Sequence, residues 1–338
     1  MQVLKSLVVA IGAFTLVACN SGGSSSSSVN PSPSPSPTVA PATLAVSTFT
    51  YNPGDKTGVN VSIGGSAPII AEVDTGSNLT VVNESAVVGA NIQMTSESLT
   101  LSYGGGINTV SGYIGYGSVS FTTTSGTTLS SSAQTPILVV SQGTVNLGGG
   151  NNAILGMQLN NQTSVRLFLP SPYNQMMLLN KPQSQLIFGQ LSFAQLSGFA
   201  NIQLESETCQ NHQVTTSMTN TCWMTESIPV VYTYSQSGLP DGQVTLGTLF
   251  DSGAGNAMFQ FSSQPSWLQL NGNVIQNTIT AKVTTSQGVL PLPLTTTMIY
   301  EANSDNKVNA GNNLFNTYQV LFDQTDGIIG LRAAESTL

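Results

Sequence analysis

A single histidine, His212, stands among 338 residues. Any Ser or Cys nucleophile activated by an imidazole would have to use that one residue, and no nucleophile signature lies near it. The His-Glu-x-x-His pattern that places two imidazoles on one zinc ion is absent. A zinc site built on Cys209, His212 and Cys222 would have three ligands at no familiar spacing, so His212 reads as a loop residue. Charge is scarce too, with Asp, Glu, Lys and Arg together making 7% of the chain and only seven of them basic. The basic footprint that nucleic acid requires is missing, as is a polybasic grip on anionic lipid. Triple glycines at Gly104-Gly105-Gly106 and Gly148-Gly149-Gly150 lie in β-rich context and read as turns, not as phosphate cradles opening a helix. Helical patterns are few; Leu191 to Ser197 and Ser263 to Leu270 each suggest one short turn of helix.

What is present begins with Lys5 and an apolar run from Leu7 to Val17, too short to span a bilayer as a helix. It ends Leu16-Val17-Ala18-Cys19, which resembles the lipobox of bacterial lipoproteins. That resemblance implies a signal peptide over 1–18, a lipidated Cys19, and a membrane partner held through acyl chains. Asn20 after the cysteine implies the outer membrane of a bacterial cell envelope. Without Lys5, six basic residues remain against fifteen acidic ones, a net charge of −9. Residues 19–43 form a linker in which a serine run leads into Pro31-Ser32-Pro33-Ser34-Pro35-Ser36-Pro37. Alternating Pro and Ser favours extended polyproline II and packs no core. Cys209 and Cys222 are an even pair in an oxidising compartment, so a disulfide between them is expected, stabilising the fold by about 3 kcal/mol.

From Leu44 the texture is short runs of Val, Ile, Thr, Tyr and Phe between Gly, Asn and Ser clusters. Gly58 to Ile63, Leu99 to Tyr103, Pro136 to Val140, Gln185 to Phe188, Ile228 to Tyr234 and Tyr318 to Phe322 are examples. Regular spacing of this kind predicts an all-β chain, and its length suits two lobes, 44–197 and 198–338. An internal echo supports two lobes. Ala71-Glu-Val-Asp-Thr-Gly-Ser-Asn78 and Thr248-Leu-Phe-Asp-Ser-Gly-Ala-Gly255 share an apolar approach, an Asp, a hydroxyl residue, a Gly and a small residue. With seven Asp in the chain, chance supplies well under one such triplet. Each reads as a strand delivering a carboxylate into a tight turn, where Gly lets backbone approach closely. Two such turns facing each other would force two carboxylates to share a proton. One could then act as base on a water while the other polarises a carbonyl. Two unrelated Asx turns at strand ends are the alternative.

The order of motifs resembles the pepsin-like aspartic peptidases over residues 56–332. Val73-Asp-Thr-Gly-Ser-Asn-Leu79 and Leu249-Phe-Asp-Ser-Gly253 resemble the two catalytic motifs. Leu101-Ser-Tyr-Gly-Gly-Gly106 resembles the flap and Ser111 to Tyr116 its returning strand. Ala153-Ile-Leu-Gly-Met157 resembles the segment threading beneath the first catalytic loop, and Gln185 to Gly189 the strand closing the first lobe. Tyr318 to Asp323 with Ile328 to Leu331 resemble the strands that close the second. The resemblance implies a bilobal fold with an active-site cleft, Asp74 and Asp251 as the catalytic pair, and Ser77 on the outer oxygen of Asp74. Gly76 and Gly253 would offer backbone N–H groups, Thr75 and Ser252 would support the loops, and Tyr103 with Gly104 would form the flap. It implies an endopeptidase acting on extended polypeptide, with water and no cofactor or metal. Both motifs in one chain imply a monomer, not a dimer of half-sites.

Departures from the family pattern matter. Ala254 stands where a hydroxyl residue is usual, so Asp251 is expected to lack a stabilising donor, raising the pair's upper pKa and extending activity toward neutral pH. The interval from Asp74 to Tyr103 is short, and no Trp follows the first motif. The second threading segment is poorly kept, with Asn309-Ala-Gly311 its nearest candidate. Residues 20–43 hold no Lys or Arg, so an inhibitory basic arm is not expected there. These departures leave a second reading open, a surface lipoprotein of the same fold that binds a ligand or protein and has weak or no catalysis.

Overall fold

The computed structural model describes residues 39–50, 55–103, 108–143, 145, 152–159, 163–207, 221–236, 239–303 and 306–334. The expected signal, Cys19 and most of the linker lie outside them, as do Gly104 and Cys209. The described residues from Val39 onward belong to one compact unit, and its regular elements are nearly all strands. Alternation sets the faces of the strands that meet solvent on one side. In Thr278–Thr285 the inward positions are Ile279, Ala281 and Val283, and the residues between them are exposed or half-exposed. Strands enclosed on both faces read differently: every residue of Thr80–Asn83, Ala153–Gly156 and Tyr318–Asp323 is buried.

One pairing pattern occurs twice. In the first half, strand Ala153–Gly156 runs parallel to Ile69–Asp74 and antiparallel to Thr80–Asn83, which in turn runs parallel to Pro136–Gln142. In the second half, Lys307–Asn309 runs parallel to the end of Leu239–Leu249 and antiparallel to Ala257–Phe261, which runs parallel to Met298–Ala302. Ala153–Gly156 and Lys307–Asn309 are thus threading strands, each inserted between the strand that delivers an aspartate and the strand that leaves its loop. The Asn309-Ala-Gly311 segment, weak as a motif, occupies the expected place. Strands Gln93–Tyr103 and Asn108–Tyr116 form the hairpin expected to serve as a flap, with Tyr103 opposite Asn108 at its described end.

The two halves meet in six antiparallel strands. Ala42–Ala45, Gln185–Phe188 and Met176–Asn180 come from the first; Tyr318–Asp323, Ile328–Ala333 and Ala200–Gln203 come from the second. The seam is the pairing of Met176–Leu179 with Val320–Asp323. The strand Ala42–Thr50 serves two partners, since Val46–Thr50 pairs with Asp55–Val59 instead.

Of the two helical turns expected, Phe193–Leu196 forms, closed by a capping box from Ser192 and Gln195. Ser263 to Leu270 does not form a helix. Pro265 disfavours the helical region for Gln264 and leaves one tight turn, with Leu268 N–H donating to the Pro265 carbonyl. A second short helix, Leu314–Thr317, follows Asn313.

Candidate active site

Asp74 ends its strand and Asp251 lies two residues beyond the end of strand Leu239–Leu249. Both are buried, at 6% and 8% exposure. The tight turn after each aspartate folds backbone N–H groups onto its own carboxylate. Gly76 and Ser77 donate to Asp74 Oδ1 at 2.8 and 3.0 Å. Gly253 and Ala254 donate to Asp251 Oδ1 at 2.7 and 3.2 Å. Charge-assisted bonds of this kind are among the stronger hydrogen bonds in proteins.

The two turns face each other at contact distance. A Cβ added to Gly253 would lie 2.5 to 2.7 Å from the carboxyl atoms of Asp74, and one added to Gly76 would strike the carboxyl of Asp251. Only glycine permits that approach. Beneath the carboxylates the turns are cross-tied. Thr75 N–H donates to Ser252 Oγ at 3.1 Å, and Ser252 N–H donates to Thr75 Oγ1 at 2.9 Å. The hydroxyls in turn donate across to the other half, Thr75 to the Phe250 carbonyl at 2.8 Å and Ser252 to the Val73 carbonyl at 2.6 Å. All four bonds are buried, so breaking one strands a desolvated partner.

The outer oxygens are served differently. Ser77 Oγ donates to Asp74 Oδ2 at 2.6 Å. Asp251 is not short of a donor, contrary to the expectation drawn from Ala254: the Asn309 carboxamide nitrogen donates to Asp251 Oδ2 at 2.6 Å. A side chain from the threading strand replaces the hydroxyl that the loop lacks. Gly311, at φ +71°, packs against the backbone of Asn256, as Gly156 packs against that of Asn78 and Leu79.

A third carboxyl belongs to the site. Glu72, two residues before Asp74 and therefore on the same face of the strand, is 1% exposed. Lys56 Nζ lies 2.8 Å from its Oε1. Burial pushes the Glu72 carboxyl up to about 7 against the opposing pull of Lys56. Asp74 is raised well above the ordinary range by burial first, then by the charges of Asp251 and Glu72. Leu249 holds the position two residues before Asp251, so the second half carries no counterpart.

Tyr103, half-buried at the described end of that hairpin, has its phenol pushed upward by burial and then by the charges of Asp74 and Glu72. That places it within electrostatic reach of both. Asp74, Thr75, Gly76, Ser77, Asp251, Ser252 and Gly253 converge, and the charge of Asp74 is felt at Tyr103. Cys222 is buried and disulfide-bonded, within a strand pair apart from this cluster. Asn309, Glu72 and Lys56 were missed as site residues. The available signals were the Asn two places before Gly311 and a lone acid in the apolar run Ile69-Ile-Ala-Glu-Val.

No protein-family model matches the chain, and no curated protein matches it. Solved structures do. The aspartic proteinase from Irpex lacteus is similar at a TM-score of 0.54 and 15% identity, over 88% of this chain and 99% of that one. Basic 7S globulin from soybean is similar at 0.54 and 12%, over 88% and 96%. The chain has the all-β, two-lobed fold of pepsin-like aspartic proteinases.

Proposed function

We propose that the protein is an aspartic endopeptidase, with Asp74 and Asp251 activating a water between them against a peptide carbonyl. The observation that carries this is the mutual approach of the two loops, each glycine pressed on the other loop's carboxyl. Like charges so placed cannot both ionise, and the pair holds one proton at working pH. The substrate is an extended polypeptide segment taken as a strand, with Tyr103 and Gly104 of the flap covering it. The raised proton affinity of Asp74 supports activity reaching toward neutral pH. The lipobox-like segment supports a lipid on Cys19 and a place in the bacterial outer membrane, with the 19–43 linker as tether. A Cys209–Cys222 bond would complete the disulfide in which Cys222 takes part.

The test is cleavage of a denatured protein from pH 3 to 7, with pepstatin and with Asp74→Asn and Asp251→Asn. Pepstatin-sensitive cleavage lost in both variants is expected. The second reading, a binding protein on the same fold, is favoured by the equal fold likeness to a protein named as a globulin. Pepstatin binding without turnover at any pH would establish it.

A further inference from the structure

Asn309 differs from a hydroxyl residue in a way that bears on the shared proton. Its amide is oriented from within its own segment, because Gly311 N–H donates to Asn309 Oδ1 at 3.0 Å. The NH2 group must then face Asp251 Oδ2, and an amide NH2 donates only. Asp251 Oδ1 already accepts two backbone N–H bonds. A proton on either oxygen of Asp251 would meet a group that cannot accept it. Asp74 differs at one atom. Its Oδ2 meets Ser77 Oγ, and a hydroxyl accepts as readily as it donates. A protonated Asp74 keeps that bond by reversing it.

We propose that Asn309 is a positioning residue that orders the protons of the pair, holding Asp251 as the carboxylate and leaving the shared proton on Asp74. This rests on the aspartic-peptidase reading. The charges around the pair divide unevenly. Burial raises the proton affinity of Asp74 most, the charges of Asp251 and then Glu72 add to the rise, and the Ser77 bond and Lys56 oppose it. Burial first, then the charges of Asp74 and Glu72, keep the Tyr103 phenol neutral. Lys307, two residues before Asn309, is engaged by Glu226 at 2.5 Å. In the reaction, Asp251 takes a proton from water as its oxygen bonds to the carbonyl carbon. The carbonyl π pair moves to oxygen, which receives the proton of Asp74. On collapse the diol returns a proton to Asp74, the C–N bond breaks, and the nitrogen leaves with the proton held by Asp251. The pair ends as it began.

Two measurements on the full chain test this. Carboxyl 13C titration of Asp-labelled protein, assigned with Asp74→Asn and Asp251→Asn, reads proton order without turnover; Asp251 is expected to deprotonate first as pH rises. The pH profile of kcat/KM then compares wild type with Asn309→Ala, with Asn309→Leu, which fills the space without a donor, serving if Asn309→Ala does not fold. Loss of the donor is expected to move the acidic limb up by about one pH unit. Adding Ala254→Thr to Asn309→Ala is expected to return the limb toward wild type by restoring a donor. A purely structural role would lower kcat or Tm and leave the limb in place. Asp74 deprotonating first, or an unmoved limb in the folded variant, overturns the proposal. Absence of cleavage at every pH removes the peptidase reading instead and leaves the titration to judge proton order.

Discussion

Asp74 draws its side-chain donor from three residues away, whereas Asp251 draws its own from 58 residues away. Since Asn309 already occupies Asp251 Oδ2, Ala254→Thr in the wild-type chain is expected to shift the pH profile by less than about half a unit. A larger shift would mean that Asn309 is not the donor in solution. Glu72 leads to a second outcome. Its folded pKa of about 7 lies above its ordinary 4.5, so the folded protein binds the extra proton between those values. Stability from this group is fully present below pH 4.5 and is lost as pH rises through 7, by about 3 kcal/mol. Denaturant unfolding from pH 4 to 8 should show that decline, and Glu72→Gln should flatten it. The aspartates were legible because each triplet is local and self-contained. The contact of Asn309 was not, because it depends on two strands meeting across the fold, and Asn is no part of the motif pattern. Glu72 was visible as an acid out of place, but only burial beside Lys56 gives it a role.

Among the elements, the threading strands decide whether the carboxylates converge. Each is short and paired on both edges; Ala153–Gly156 ends at a glycine against the Asn78–Leu79 backbone, and Gly311, two residues past Lys307–Asn309, packs against that of Asn256. Gly156 admits no side chain, since a Cβ there would lie 2.6 Å from the Asn78 carbonyl carbon and 2.7 Å from the Leu79 oxygen. Gly156→Ala is expected to cost about 2 to 4 kcal/mol, read as a lower denaturation midpoint with loss of cleavage. Strand runs such as Gln185–Phe188 and Tyr318–Asp323 could be read directly, because β-branched and aromatic residues between turn signals mark them whatever they pack against. Lys307–Asn309 could not. Three residues, one charged and one an amide, carry no strand signature, and their conformation is imposed by the neighbours on both sides. The missing helix at Ser263 to Leu270 shows the opposite case, a plausible pattern overruled by one proline.

At the level of the molecule, the halves are repeats that share a sheet. The seam joins Met176–Leu179 to Val320–Asp323, so either half alone exposes an apolar edge strand with unpaired backbone groups. Residues 39–197 expressed alone are expected to aggregate, and co-expression with 198–338 to restore soluble protein; a monomeric, cooperatively unfolding fragment would contradict this. The cross-tie of Thr75 and Ser252 carries the same dependence into the chemistry. Each loop is finished by the other half's backbone, so neither carboxylate is held in place until both halves have folded against each other. The two carboxylates therefore acquire their geometry together, and a chain with one half folded holds a loop whose hydroxyl lacks its carbonyl partner. Completion of the site and completion of the fold are one event.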